Sequence, residues 1–467
     1  MKQARLSSFF GGAWLCLAAA NISAQEVRVP DETMNLRETI DMAMATYAEM
    51  KAQRADVSAA NEAVGLAKKA YLPDGEVYTQ WNRATRNNLF GLMFPNGSVP
   101  SISGPALEET TSESTYGSAA AALVRWKAFD FGVRAARVHE AEALREGAEM
   151  GLRLAELDVS LGTLDAFLAV LAAESAVVAA AATLERMDAF EESVSVLVTN
   201  ELRAGADLSL ARAELSRART ELIRAEEARD QARSQLSEWL GRAGERIEVD
   251  GTELIQSAPR VDESPGEPDP GPHPLVAREQ AAFAAAVARQ DAASRSSLPE
   301  IDVIASLYSR GTGALLDGSF EGGSSGLWPE RSNWALGVAV RFPFLDLPES
   351  RQQKAIEAHR ARAAEARQEN AAQHLTAELE RARIHLDAAR RVAANTPLEL
   401  EAARALQAQA RARYDAGLTD ALEVAESERI LRHAETDDVV ARLDVWRARF
   451  ALAAARGDLS PVLSQLD

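Results

Sequence analysis

Tyr414-Asp415-Ala416-Gly417-Leu418-Thr419-Asp420-Ala421-Leu422-Glu423-Val424-Ala425-Glu426 is the stretch that decides how the chain folds. A long run with helical apolar spacing leads into it, and another leads out. Gly417 falls where the helix-forming residues pause, and glycine accepts the positive φ that ends a helix. Thr419 or Asp420 can cap the helix that follows. The stretch therefore predicts a tight turn between two antiparallel helices.

Leu202-Arg203-Ala204-Gly205-Ala206-Asp207-Leu208-Ser209-Leu210-Ala211-Arg212-Ala213-Glu214 has the same form. Gly417 aligns with Gly205, 212 residues earlier, and Leu422, Ala425, Glu426 and Arg429 then meet Leu210, Ala213, Glu214 and Arg217. Further out, Phe344-Leu345-Asp346-Leu347 echoes Phe129-Asp130-Phe131-Gly132, with Asp346 and Asp130 216 residues apart, as are Gly457 and Gly241. Matching turns inside matching halves predict a duplicated chain. The change from 216 to 212 and back predicts small helical insertions. Residues 25–255 and 275–467 are the expected repeats. Between them, 256–274 carries Pro259, Pro265, Pro268, Pro270, Pro272 and Pro274 and reads as a linker.

Each half has the same order of elements. A helix is expected over about 35–70, ended by Leu72-Pro73-Asp74-Gly75. Glu76 to Trp81 alternates as a strand. A Gly/Pro/Asn/Ser-rich loop covers about 82–114, and Tyr116 to Trp126 is the next strand. An unbroken helix is expected from near Gly132 to about Asn200. Leu157, Leu161, Leu164, Leu168 and Leu171 form a heptad seam on it. At 1.5 Å per residue it would be roughly 100 Å long. A shorter helix then runs to Trp239-Leu240-Gly241. The second half repeats this: a helix over Leu275–Ser296, Leu298-Pro299, a strand over Ile301–Tyr308, a loop over 311–331 and a strand over Trp334–Phe342. A long helix over about Glu349–Ala412 and a last one over Leu418–Arg456 complete it. Pro397 has no counterpart and should kink the long helix or start a new segment.

The chain has 467 residues, 47% hydrophobic but only 6% aromatic. Alanine-rich helices suit extended close-packed layers. A formal net charge of -19 argues against nucleic-acid binding, which needs a basic patch. Lys2 and Arg5, the apolar run Phe9–Ala20 and Ile22-Ser23-Ala24 read as a secretory signal over 1–24, with cleavage expected after Ala24 and Ala20 as the other option. The lone cysteine, Cys16, lies within it, so no disulfide is expected. No other stretch is expected to supply the roughly 18 apolar residues of a spanning helix. Entry into a membrane would then have to use strands.

Two copies of helix, Leu-Pro, strand, loop, strand, Asp-containing turn, very long helix, turn and helix resemble the TolC family of outer-membrane efflux proteins. The resemblance covers nearly the whole mature chain. Trp126 to Arg134 and Tyr414 to Glu426 carry its most specific motifs. It implies a mainly α fold with a small β part and a homotrimer. Each chain would lend four strands to a shared twelve-stranded outer-membrane barrel, and its duplicated helical hairpins to a hollow periplasmic cylinder. The implied function is the exit duct of a tripartite efflux or secretion system. Its partners would be a periplasmic adaptor, an inner-membrane transporter and outer-membrane lipid in a Gram-negative bacterium. Leu347-Pro348 departs from the family, which often has Gly there.

The resemblance makes Tyr414 part of a latch that closes the tip. It places Glu423 and Glu426 where carboxylates ring the pore, and a ring of like charges would raise some pKa values. The helix dipole explains acidic first-turn residues equally well, and both explanations stay open. The family's basic latch position is Thr419 here, so no ionic latch carries over to it. Leu202, Gly205, Ala206, Leu208, Gly417, Leu418 and Leu422 would form the adaptor-docking tips. Asp130, Gly132 and Asp346 belong to the strand-to-helix turns, the two aspartates as turn and cap residues. Trp81, Tyr116, Trp126, Trp328 and Trp334 would form an interfacial aromatic belt. His139, His273, His359, His374, His385 and His433 show no metal-ligand spacing. No phosphate loop or nucleophile elbow is present, so neither catalysis nor a cofactor is expected. A periplasmic adaptor has one long hairpin between β-rich halves, and a coiled-coil scaffold would lack the Leu-Pro strands. Both are the weaker alternatives.

Overall fold

The computed structural model describes residues 33–85, 110–256, 273–315, 319 and 321–465. The expected signal, most of the first loop and nearly all of the Pro-rich linker lie outside the described residues.

Helix α1 (Leu36–Thr46) opens with a capping box, Asn35 accepting from the Glu38 N–H and Glu38 from the Asn35 N–H. The single helix expected over 35–70 divides at Tyr47, which is extended (φ -61, ψ 132), before α2 (Ala48–Lys69). No Pro or Gly marks this break. It is imposed from outside: the Tyr47 ring packs on Trp239 at 5.1 Å, and the Thr46 hydroxyl donates to the Leu240 carbonyl at 2.7 Å.

Strands β1 (Asp74–Thr85), β2 (Ser114–Phe129), β3 (Glu300–Thr312) and β4 (Arg331–Arg341) form one antiparallel sheet in that order. The register puts Val77 opposite Ala122, Ala122 opposite Leu307, and Leu307 opposite Trp334. Because strand side chains alternate, this row fixes both faces. One carries Val77, Trp81, Val124, Trp126, Leu307, Trp334, Leu336, Val338 and Val340, all exposed. The other carries Tyr78, Gln80, Ala121, Leu123, Ser306 and Tyr308, with Gln80, Ala121, Leu123 and Ser306 buried. Of the aromatic set, the four tryptophans are exposed and Tyr116 is half-buried.

Beyond the sheet, α3 (Val133–Thr199) has 67 residues, and α4 (Gly205–Trp239) returns along it. Short α5 (Thr252–Gln256) and α6 (Pro274–Arg295) follow. Then α7 (Leu347–Asp415) runs 69 residues, α8 (Ala421–Ala455) returns along it, and α9 (Ser460–Leu463) ends the described helices. α3 packs on α4, α6, α2 and α8, and α6 bridges to α7. The main core lies midway, where α1, the Leu157–Leu171 seam of α3, Leu236 and Leu240, and Trp446 and Phe450 of α8 meet. α7 buries one seam of small residues and leucines, including Ala361, Ala364, Leu375, Leu379, Ala382 and Leu386, at helical heptad spacing. Ile384, Val392 and Leu398 remain exposed on it.

Two expectations are corrected here. α3 does contain a window long and apolar enough to cross a membrane, with mean hydropathy 2.0. Alanine and valine raise that value, but two acidic residues in or beside the run pair across the helical layer, Asp165 with Arg447 at 2.8 Å and Glu174 with Arg233 at 2.8 Å. Of the two outcomes expected at Pro397, a kink or a new segment, the new segment does not occur, and α7 runs unbroken through it. The neighbouring Thr396 hydroxyl donates to Asp438 on α8 at 3.0 Å, and Arg442 joins Asp438 to the Ile255 carbonyl at 2.9 Å. This anchorage and the packing on α8 offset the roughly 3 kcal/mol of an interior proline.

The two strand-to-helix turns differ. Gly132 takes φ 90, and the Asp130 carboxylate accepts from the Gly132 N–H (3.2 Å), the Arg134 N–H (3.1 Å) and Arg134 Nε (2.8 Å). Arg134 in turn donates to the Ala70 carbonyl at 3.2 Å and stacks on Tyr71 at 4.6 Å, tying the end of α2 to the start of α3. Asp346 closes a 3-10 turn, Phe344–Asp346, and makes no side-chain cap. Its backbone (φ -88, ψ 1) is not extended as a cap requires, and Pro348 has no N–H to offer it.

Candidate functional site

Both helical hairpins turn at the end of the molecule farthest from the sheet, since each long helix begins beside a strand. At the second turn Gly417 takes φ 79. The Leu418 N–H donates to the Arg413 carbonyl (2.8 Å) and the Gly417 N–H to the Tyr414 carbonyl (2.9 Å), a Schellman motif. Asp420 caps α8 by accepting from the Glu423 N–H at 3.2 Å. At the first turn the same bonds run from Leu202 to Leu197 (2.9 Å) and from Glu201 to Val198 (3.0 Å), with Glu201 at φ 61.

Glu201, not Gly205, is therefore the counterpart of Gly417. Gly205 is the first residue of α4, matching Ala421 at the start of α8. Glu201 and Gly417, Gly205 and Ala421, and Trp239 and Ala455 are each 216 residues apart. The offset of 212 was a slip of four residues, close to one helical turn, which keeps similar residues in line. The expected helical insertions vanish with it.

Between the turns lies a buried cluster of Met187, Phe190, Val194, Leu215, Tyr414 and Val424. Tyr414 is fully buried, edge-on to Phe190 at 5.0 Å, and its hydroxyl has no hydrogen-bond partner. Burial pushes its phenol above the usual range, and the nearby Asp207 adds to this. The Arg203 guanidinium stacks over the Tyr414 ring at 4.5 Å and donates to the Tyr414 carbonyl (2.5 Å) and the Thr419 carbonyl (3.2 Å). Arg411 stacks on the Phe190 ring at 5.0 Å. Farther from the tip, Arg186 of α3 pairs with buried Glu428 of α8 at 2.6 Å, and Gln407 of α7 donates to the same carboxylate at 2.7 Å.

The two acidic residues are each answered within the chain. Glu423 pairs with Arg413 at 2.7 Å and accepts from the Thr419 hydroxyl. Glu426 accepts from Arg429 Nε at 3.0 Å, and that guanidinium holds its carboxyl below the usual range. Within one chain, Arg429 thus dominates the charge environment of Glu426. Glu426 and Arg429 face Glu214, Arg217 and Glu221 across a groove of about 370 Å³ between α8 and α4.

Leu202, Gly205, Ala206, Gly417, Leu418 and Leu422 are exposed around the turns, with Leu202 at 69% and Leu418 at 71%. Leu208 instead turns inward onto the buried cluster. Sequence reasoning missed Arg203, Glu201, Phe190, Arg186 and Glu428. Of these, Arg203 and Glu201 were open to discovery, because the 216-residue register pairs them with Thr419 and Gly417. Among the described residues, no group of three or more His, Cys, Asp or Glu could hold a metal ion.

The family model described as outer membrane efflux protein matches residues 39–242 and 272–458. The chain belongs to that family. Solved structures of similar fold include the outer membrane protein VceC of Vibrio cholerae, with TM-score 0.72 and 17% identity over 91% of this chain and 96% of that one. The CmeC outer membrane channel of Campylobacter jejuni gives TM-score 0.72 and 14% identity over 92% and 89%. The open state of the Neisseria gonorrhoeae MtrE outer membrane channel gives 0.68 and 16% over 91% and 89%. No curated protein sequence matches the chain. This outer-membrane efflux protein is thus an exit-duct channel with a helical cylinder and a barrel-forming sheet, and the adaptor and scaffold alternatives fall away.

Proposed function

We propose that three copies of the chain assemble into one duct through the outer membrane of a Gram-negative bacterium. The observation that carries this is the sheet. It has four strands, with β1 and β4 at open edges, and one of its faces is a continuous apolar surface. Open edges cannot face lipid, and four strands are too few to close a barrel. Pairing β4 of one copy with β1 of the next removes every edge. The exposed Ile384, Val392 and Leu398 of α7 support the same assembly, because they need a neighbouring helix.

The apolar face would meet lipid, with Trp81, Trp126 and Trp334 toward its margins. The hairpins would extend through the periplasm, with their tips toward an adaptor and an inner-membrane transporter. Leu202, Ala206, Leu418 and Leu422, with Gly205 and Gly417, offer that adaptor an exposed apolar rim. Leu208 supports the rim from beneath. Tyr414, Glu423 and Glu426 lie where the duct would narrow. Residues 1–24 would direct export, and 25–255 and 275–467 would be two repeats joined by 256–274. Asp130 and Gly132 bend the first repeat from sheet to helix and Asp346 stands at the same point of the second. The duct works without catalysis, cofactor or nucleic acid.

Fractionation tests this assembly. The account expects recovery from the outer membrane as a detergent-resistant trimer that heat converts to monomer. A soluble monomer in the periplasm would contradict it.

A further inference from the structure

Arg83 is a cation on the face of the sheet that otherwise carries apolar side chains. It lies directly opposite Tyr116, and Trp81, two residues earlier on β1, is exposed on the same face. The guanidinium stacks over the Tyr116 ring at 5.0 Å. Its Nε donates to the Ser114 hydroxyl at 2.9 Å and its Nη1 to the Tyr116 hydroxyl at 3.5 Å. These contacts use two of the five donors of an arginine. Among the described residues no carboxylate pairs with Arg83. A neutral ring and two hydroxyls thus hold the side chain in place without cancelling its charge.

Its place along the strands fixes which part of a bilayer it would meet. β1 starts beside the end of α2 and β2 ends at the turn into α3, so the Arg83–Tyr116 pair lies at the end of the sheet away from the helices. Near the opposite end, the Trp126 indole N–H donates to the Tyr71 carbonyl at 3.0 Å. Tyr116 and Trp126 are ten residues apart on β2, which is about 34 Å along an extended strand. A strand tilt of about 40° turns this into about 26 Å of height, close to the apolar band of about 25 Å that a barrel presents to lipid. Trp126 then marks one margin of the band. Arg83 and Tyr116 mark the other, at the level of headgroups rather than acyl chains.

Along the same margin Ser118 lies opposite Trp81, and Gly311 lies opposite Ser118. A Cβ at 311 would meet the Trp328 carbonyl oxygen, so the β3–β4 connection closes over this margin, and Trp328 stays exposed. A cation, aromatic rings and hydroxyls are gathered there. A guanidinium without a carboxylate takes an oxyanion as a planar fork. Flat ring faces suit the C–H faces of sugars. A headgroup that carries both phosphate and sugar rings matches this set, and the outer leaflet of a Gram-negative outer membrane is built of phosphorylated glycolipid.

We propose that Arg83, Tyr116 and Trp81 bind the headgroup of an outer-leaflet phosphorylated glycolipid on the outside of the barrel, Arg83 taking the phosphate and Trp81 a sugar ring. This rests on the outer-membrane duct above, whose external end is the end of the sheet away from the helices. A lysine at 83 keeps the charge but loses the planar fork and the stacking, so it holds the phosphate less firmly.

The test uses the full-length protein in phosphatidylcholine vesicles that contain a trace of fluorescently labelled bisphosphorylated lipid A. Energy transfer from the tryptophans reports how far the labelled lipid gathers around the protein. Unlabelled bisphosphorylated lipid A should displace it from the wild type, while dephosphorylated lipid A and inorganic phosphate in the buffer should not. Arg83→Gln is expected to weaken the enrichment roughly tenfold, the scale of one charge-assisted contact, and Arg83→Lys to weaken it less. Arg331→Gln removes the same charge from the opposite face of β4, beside Arg310, and should leave the enrichment unchanged. Equal enrichment in Arg83→Gln and the wild type would overturn the proposal, as would an equal loss in Arg331→Gln. Displacement by inorganic phosphate alone would make this a site for a free anion, and displacement by dephosphorylated lipid A would take the phosphate out of it; either result overturns the proposal too. If Arg83→Gln does not assemble, the competition on the wild type decides by the same criteria. A wild type that does not insert into the vesicles would instead overturn the outer-membrane duct.

Discussion

Glu201 and Gly417 hold the same left-handed position in two hairpin turns 216 residues apart, at φ 61 and φ 79. Glycine adopts that conformation without steric penalty, while a residue with a Cβ pays roughly 1–2 kcal/mol. The first turn keeps the strained residue, and both of its Schellman bonds form regardless. Glu201→Gly should therefore raise unfolding stability by about 1 kcal/mol. Gly417→Ala should lower it by a similar amount. Denaturant melts of the detergent-solubilised protein measure both. A Glu201→Gly variant less stable than wild type would place the strain elsewhere.

Glu423 and Glu426 are paired with Arg413 and Arg429 on the same chain. Removing the two carboxylate charges thus exposes two guanidinium charges rather than leaving a neutral surface. Glu423→Gln with Glu426→Gln should leave the trimer nearly intact and shift the reversal potential in a salt gradient toward anion selectivity. If these residues serve only the helix dipole, the double variant loses about 0.3–1 kcal/mol per residue and conducts as before. An unchanged reversal potential would remove both from the pore.

His273 offers a pH prediction. It starts α6 with Nδ1 accepting from the Leu275 N–H at 3.1 Å, so its proton sits on Nε2, facing the Ala454 carbonyl at 3.1 Å. Burial pushes its pKa down, partly offset by the Ala454 bond and by Glu378 and Asp158. The neutral form is the one that fits the fold. A depressed histidine pKa means that the unfolded chain takes up the proton first. Stability is then full above about pH 6.5 and is lost as pH falls through the lower folded value. The melting temperature should drop between pH 7.5 and pH 5, and His273→Asn, which keeps a capping acceptor, should flatten that drop. An equal drop in the variant would exonerate His273.

The long helices and the strands were legible because their signals are periodic and local. The Leu157–Leu171 spacing announced the α3 seam, and alternation over Glu76–Trp81 and Ile301–Tyr308 announced strands, which extend further than the alternation did. The break at Tyr47 was not legible, because Trp239 and Leu240 impose it from far along the chain. The turn register was misread for the opposite reason. Alanine-rich helices repeat so evenly that a shift of one turn still matches residue to residue. Arg203 went unread with the register: nothing in its own neighbourhood points to partners two hundred residues away, and only the 216-residue pairing with Thr419 does. Asp346 resembled Asp130 in sequence, but the proline two residues later changed what it could cap.

The central claim is that the sheet faces lipid on one side and the inside of the duct on the other. β4 tests it most directly, because both its faces are exposed in the single chain and its residues alternate between them. Single cysteines at 335 to 340 in the assembled outer-membrane protein, treated with a water-soluble maleimide, read the environment of each position. Leu336→Cys, Val338→Cys and Val340→Cys should be protected by lipid, while Ala335→Cys, Gly337→Cys and Ala339→Cys should react from the lumen. The same reactivity at all six positions would contradict the account.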